Sequence, residues 1–168
     1  PEVEIVLLLH RSRGTALGRL QTLATSIRAE YYLSTSRVFI VDDYYFPLYV
    51  ARPKSGTVVI QTWHAAGALK KVGYSVAGKS FGASASLLRQ VRIHSNYTHC
   101  LVASRSAIPH YAEAFGQPPD HFVVTGIPRT DIFFDVHRRE GAPRRIRGRY
   151  GLPEGKTVLL WAPTFRGD

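Results

Sequence analysis

A histidine placed where an apolar run stops is the strongest chemical signal in this sequence. Thr57-Val58-Val59-Ile60-Gln61-Thr62-Trp63-His64 leads directly into the small-residue loop Ala65-Ala66-Gly67-Ala68. A β-branched run of this kind predicts a buried strand of an α/β sheet. Ligands of open α/β sheets sit in the crevice beyond the carboxyl ends of the strands. An imidazole delivered there titrates near neutral pH and suits a general base. The competing reading is a partly buried histidine tied to a backbone carbonyl.

A second pattern points elsewhere. Gly73-Tyr74-Ser75-Val76-Ala77-Gly78-Lys79-Ser80 matches the phosphate-loop signature G-x-x-x-x-G-K-[ST], and Val38–Asp42 resembles an apolar strand ending in a magnesium-holding aspartate. That gives a P-loop NTPase as an alternative function. The context opposes it. Leu69-Lys70-Lys71-Val72 would have to form the buried strand before the loop, and Gly82 falls in the first helical turn, where glycine is costly. The acidic strand also precedes the loop instead of following it.

The third feature is charge. The formal net charge is +10, and Arg138, Arg139, Arg144, Arg145, Arg147 and Arg149 face a single acid, Glu140, within one short stretch. Such a patch fits an anionic partner, whether phospholipid surface, phosphorylated polymer or nucleic acid, or else a solvated helix face. A non-enzymatic nucleic-acid-binding module would need aromatics interleaved among these arginines, and only Tyr150 stands at their end. Asp42 and Asp43 read as turn aspartates, not a metal pair. His94, His99 and Cys100 lack the ligand number and spacing of a zinc site.

These residues need a scaffold, and the chain of 168 residues is long enough for one domain with a real core. Hydrophobic content of 45% with 20% charged residues fits a globular protein. The longest apolar run, Ile5–Leu9, is too short for a membrane span, and no basic region precedes it as in a signal peptide. One cysteine, Cys100, excludes an internal disulfide and suits a reducing compartment. The absence of methionine and the apolar runs at both ends suggest a piece of a longer protein.

Strands are predicted at Val3–Leu9, Val38–Val41, the Val58 run, Cys100–Ala103, Phe122–Val124 and Thr157–Trp161. Helices are predicted over Gly14–Glu30, with Leu17, Leu20, Leu23 and Ile27 as its apolar face, and over Ser84–Ile93. Another runs from an Ser106 N-cap to a Gly116 stop, and a basic one follows Pro143. Alternating strands and helices give an α/β fold with a parallel, doubly wound sheet. Gly151-Leu152-Pro153-Glu154-Gly155 reads as a linker, so the expected domains are 1–150 and a second beginning within 151–168.

Three segments taken in order resemble one family. Gln61-Thr62-Trp63-His64 leading to Leu69-Lys70-Lys71-Val72-Gly73 is similar to the W-H-G-x-x-L-K-K-x-G motif of CDP-glycerol glycerophosphotransferases, which polymerise teichoic acids. Val124-Thr125-Gly126-Ile127-Pro128-Arg129-Thr130-Asp131 resembles their G-x-P-R-x-D motif, and Leu159–Arg166 their A-P-T-[WFY]-R strand end. Tyr31–Ser36 and Asp42–Pro47 also look like that family. Ala65-Ala66-Gly67-Ala68 departs from its usual glycine and proline, which narrows the allowed backbone.

The resemblance implies a GT-B architecture, two Rossmann-like domains facing across a cleft, with no bound metal or cofactor expected. Residues 1–150 would be the acceptor-side domain, and 151–168 a linker and first strand of a donor-side, CDP-binding domain otherwise missing. A fragment of this kind should be inactive alone. The implied reaction moves glycerol phosphate or ribitol phosphate from CDP-glycerol or CDP-ribitol to a terminal hydroxyl of a lipid-linked teichoic-acid-type polymer or primer, releasing CMP. His64 would be the base, supported by Trp63, which otherwise serves as core filler. Arg129, Arg166, Lys70, Lys71 and Thr164 would meet phosphate, although either arginine also fits a structural ion pair. Asp131 is read as an N-cap for the following helix. The arginine cluster would hold the protein peripherally on the cytoplasmic face of the bacterial membrane, with no role for nucleic acid.

Overall fold

The computed structural model describes residues 2–9, 14–80 and 82–162. Four short β-branched runs become strands: β1 (Val38–Val41), β2 (Val58–Gln61), β3 (His99–Val102) and β4 (Phe122–Val124). All pair in parallel in the order β1-β2-β3-β4, with Val38 opposite Val58, Ile60 opposite His99, and Cys100 opposite Phe122. Parallel neighbours need crossover connections. These contain α2 (Phe46–Val50) between β1 and β2, α3 (Ala85–Gln90) between β2 and β3, and α4 (Ile108–Phe115) between β3 and β4. The α/β expectation holds, and the sequential strand order is the winding of one half of a doubly wound sheet.

Strand side chains alternate in direction, and one face makes the core. Phe39, Val41, Val59, Gln61, Cys100, Val102 and Phe122 are buried with Leu33, Leu48, Trp63, Tyr97, Tyr111 and Phe115. The other face is more open, with Val38, Ile40 and Val123 exposed.

Several sequence expectations give way here. Residues 2–9 form no strand, because among the described residues no neighbour supplies ladder partners for their backbone groups. Residues 156–162 form none either, leaving Leu159, Leu160 and Trp161 exposed. The first helix, α1 (Ala16–Thr35), is capped by Thr15, whose Oγ1 accepts from the Gly18 amide at 3.1 Å. It turns the unexpected side inward. Gly18, Ala29 and Leu33 are buried, whereas Leu17, Leu20, Leu23 and Ile27 are 59–65% exposed. Periodicity correctly finds a helix, but it does not say which side packs against the rest of the chain.

Ser106 is not the cap of α4. It lies in a 3-10 turn, Arg105–Ala107, with its hydroxyl 2.8 Å from that of Ser104. Gly116 does stop the helix, in the left-handed region at φ +60°.

Packing divides the chain into two compact units, Pro1–Arg129 and Thr130–Asp168. In the second unit the basic helix α5 (Val136–Tyr150) starts well before Pro143 and carries that proline inside it. Its cap is Asp135, whose carboxylate accepts from the Arg138 amide at 3.1 Å, and not Asp131. Asp131 sits instead in a 3-10 turn, Pro128–Phe133, where its carbonyl accepts from the Phe134 amide.

Candidate active site

The carboxyl ends of β1 and β2 bring a small set of polar groups together in the first unit. After Gln61 the chain turns at Trp63, which adopts φ +51°, an uncommon conformation for a bulky residue. The turn carries His64 back over β1, where its Nδ1 lies 3.1 Å from the Asp42 carbonyl oxygen. A carbonyl only accepts, so Nδ1 is the donor in this contact. In the neutral tautomer with Nδ1–H, the lone pair lies on Nε2. Partial burial and a carbonyl tie are the features that sequence offered as the structural alternative for this histidine.

Asp42 also gathers the neighbouring groups. Thr62 Oγ1 lies 3.3 Å from its carboxylate, and Arg129 Nη2 stands 3.7 Å from it, with both ionic side chains well exposed. An exposed pair at this distance is weak. Sequence inspection placed Asp42 as a turn residue or, in the phosphate-loop alternative, as a magnesium-holding aspartate. Its role as the meeting point of His64, Thr62 and Arg129 depends on three chain segments that are distant in sequence. Asp43 does behave as a turn aspartate, its carboxylate accepting from the Tyr44 amide at 2.7 Å.

Behind His64 lies an aromatic wall. Trp63 is 6% exposed and stacks on the His64 ring at 4.7 Å and 21°. Tyr44, His94, Tyr111 and Phe115 meet the indole edge-on. The Trp63 ring thus both fills the core and fixes one face of the imidazole. His94, fully buried and at φ +56°, bonds through Nδ1 to the Tyr97 hydroxyl at 3.1 Å. Its Nε2 has no partner among the described residues, and burial pushes its titration from 6.5 down to about 4. Burial also raises the phenols of Tyr44, Tyr49 and Tyr97, keeping them protonated.

The loop after His64 is tethered at two points. Tyr111 donates its hydroxyl to the Gly67 carbonyl at 3.1 Å, and the Gly73 amide donates to the Tyr44 hydroxyl at 2.8 Å. Gly73, at φ +56°, fits where a Cβ would overlap the Ala114 carbonyl. Lys70 and Lys71 are exposed between these anchors.

This geometry rules out the phosphate-loop alternative. Gly73–Val76 is a 3-10 turn preceded by irregular chain, and the next helix begins only at Ala85. No helix N-terminus follows directly to converge on phosphates. Among the described residues, no three His, Cys, Asp or Glu side chains group as metal ligands. Thr164 and Arg166 lie outside the described residues.

The arginines of α5 are less available than their number suggests. Arg138 pairs with Asp135 at 3.2 Å, and Arg145 donates to the Arg138 carbonyl. Arg147 donates to the carbonyls of Pro153 and Lys156, closing the turn after Gly151, and Arg149 lies 5.9 Å over the Tyr150 ring. The side chains of Arg139 and Arg144 make no such bond among the described residues. No helix among them is long and apolar enough to cross a membrane.

Comparison with known proteins adds the family. The profile of the CDP-glycerol:poly(glycerophosphate) glycerophosphotransferases matches residues 3–168. The teichoic acid ribitol-phosphate primase of Bacillus spizizenii is 42% identical over the whole chain, which covers 43% of that protein. The ribitol-phosphate polymerase TarL of Staphylococcus aureus is 40% identical over 84% of the chain and 24% of its own length. The glycerol-phosphate primase of Bacillus subtilis is 28% identical over 83% of the chain and 35% of its own length. The chain thus spans less than half the length of these curated relatives. The wall teichoic acid polymerase TagF shares the fold, with a TM-score of 0.61 at 23% identity over 77% of this chain and 32% of that one. A Rossmann-like sheet of the GT-B kind, the His64 turn at its carboxyl edge and the match along nearly the whole sequence lead to one assignment: the chain belongs to the CDP-glycerol:poly(glycerophosphate) glycerophosphotransferase family.

Proposed function

We propose that the protein containing this chain transfers a polyol phosphate from a CDP-activated donor to the terminal hydroxyl of a lipid-linked teichoic-acid-type primer or polymer. The observation that carries this reading is the His64–Asp42 bond at the carboxyl edge of the sheet, which leaves Nε2 free to accept a proton. The acceptor hydroxyl binds at Nε2 and attacks the polyol-bearing phosphorus of the donor. A new P–O bond forms, the P–O bond to CMP breaks, and the hydroxyl proton passes to His64. Base assistance of this kind contributes roughly 10²–10⁴-fold.

Arg129 leaves its weak pairing with Asp42 to hold a phosphate oxygen, and Lys70 and Lys71 add positive charge to the acceptor path. Arg166 and Thr164 join the phosphate ligands by family resemblance. The relatives are more than twice as long, which supports a donor-binding domain elsewhere in the same polypeptide, with this chain forming the acceptor wall. Ribitol phosphate is the favoured group, since ribitol-phosphate relatives reach 36–42% identity and glycerol-phosphate primases 24–28%. The basic helix α5 holds the protein peripherally on the anionic cytoplasmic face of the membrane, where a lipid-linked acceptor is found.

The test is the full-length protein carrying His64→Ala, assayed with CDP-ribitol and CDP-glycerol. Transfer should be lost while donor binding is kept. Retained transfer would place the base elsewhere and reduce His64 to shaping the acceptor wall.

A further inference from the structure

Gln61 is the last residue of β2, and its side chain points into the core with no exposed surface. An uncharged amide in that position must find partners for every polar atom. It does so across the carboxyl edge of the sheet. Its Oε1 accepts from the Trp63 amide at 2.9 Å, and its Nε2 donates to the Asp43 carbonyl at 3.2 Å and to the Tyr97 hydroxyl at 2.9 Å. The Tyr97 hydroxyl in turn lies 3.0 Å from that of Tyr49 and 3.1 Å from His94 Nδ1. One side chain therefore joins the end of β1, the turn after β2 and a buried hydroxyl network.

The consequence falls on His64. Its ring reaches the Asp42 carbonyl only because Trp63 holds φ +51°, and the bond that holds the Trp63 amide comes from Gln61. The same amide group grips Asp43, beside the carbonyl that sets the His64 tautomer. We infer that Gln61 is a positioning residue for His64, clamping the ends of β1 and β2 so that the imidazole is held as its Nδ1–H tautomer with Nε2 toward the acceptor. This role rests on the reading of His64 as the base.

The residue type follows from the bonds. Glutamate would keep the acceptor but lose both donors and bring a charge into a dry site. Asparagine is one methylene short, and methionine matches the length but strands the Trp63 amide, the Asp43 carbonyl and the Tyr97 hydroxyl.

Full-length protein carrying Gln61→Met, Tyr97→Phe or His64→Ala tests the clamp by kcat, by donor KM and by the ¹⁵N spectrum of the His64 ring. A loosened base loses rate steeply with small displacements, so Gln61→Met should lower kcat by about 10- to 100-fold. Donor KM should stay within about twofold, and the ring should show mixed tautomers. Tyr97→Phe, which removes one bond to Gln61, should do the same on a smaller scale, about 3- to 10-fold in kcat. If Gln61→Met does not fold, the Tyr97 variant decides. An unchanged kcat with a single His64 tautomer in the folded variant overturns the clamp and leaves the base reading intact. Transfer by His64→Ala overturns the base reading itself, and the positioning role with it.

Discussion

The turn after β2 and the helix α5 both stand out in the sequence, one by a histidine and the other by arginines, yet they are built in opposite ways. The turn is dense. Gln61, Trp63, His94 and Tyr97 are buried together, and their polar atoms point largely at one another. Half-buried His64 stands at the edge of that order. Helix α5 buries no residue at all, and several of its arginines satisfy backbone carbonyls or a neighbouring acid. Counting charges overstates α5, whereas counting polar residues understates the turn. Reactive groups are presented by a rigid, satisfied interior, while surface charge acts in proportion to what remains unpaired.

The sharpest way to break this contrast is His64→Ala. Transfer in the full-length protein should drop by roughly 10²–10⁴-fold, while sedimentation with anionic vesicles stays unchanged. A joint loss of both would tie the two regions into one function.

Next in size is the acid response of the turn. The His94 imidazole is buried neutral, so its folded-state pKa, about 4, lies below the unfolded value of 6.5. The unfolded chain therefore takes up the proton first. Above pH 6.5 this group has no effect, and stability falls as pH drops from 6.5 toward 4, by up to about 3 kcal/mol. His94→Asn, a residue that tolerates positive φ, should be less stable at pH 7 but lose less on acidification. Melting curves at pH 7, 5.5 and 4.5 read the difference; parallel slopes for both proteins would remove His94 as the source.

On α5, the arginines without partners should matter most. Arg139→Gln with Arg144→Gln should weaken binding to anionic vesicles by about 30-fold, from about 1 kcal/mol per residue. Arg145→Gln with Arg147→Gln should instead lower the melting temperature. Equal effects on vesicles would show that charge number, and not availability, governs the helix. The smallest effect is expected at Asp42 and Arg129. Both are exposed, so Arg129→Gln should change stability by less than about 1 kcal/mol. Its loss should appear instead as a raised KM for the phosphate-bearing substrate.

Much of the scaffold was readable from residue order. β1, β2, β3 and β4 appeared within a residue or two, because buried parallel strands are β-branched runs bounded by turn residues. Boundaries set by single residues were less secure. Pro143 suggested a helix start, but Asp135 caps a longer helix upstream that carries the proline inside it. The leucine stripe of α1 shows why periodicity is incomplete: it identifies a helix, while the buried side depends on what stands opposite. Val3–Leu9 and Thr157–Trp161 carry strand-like composition without strand partners.

At the site, the sequence by itself determined that a histidine would stand at the end of a buried strand, followed by a loop with two lysines and preceded by a tryptophan. It also determined family, through motifs whose order matches along the chain. Only the tertiary structure decided which nitrogen of His64 faces a carbonyl and which groups surround it. Those answers rest on Asp42, Asp43 and Tyr97, which reach His64 and Gln61 across 18 to 36 residues of chain. A hydrogen bond needs correct distance and direction, and sequence spacing carries neither until the strands have paired.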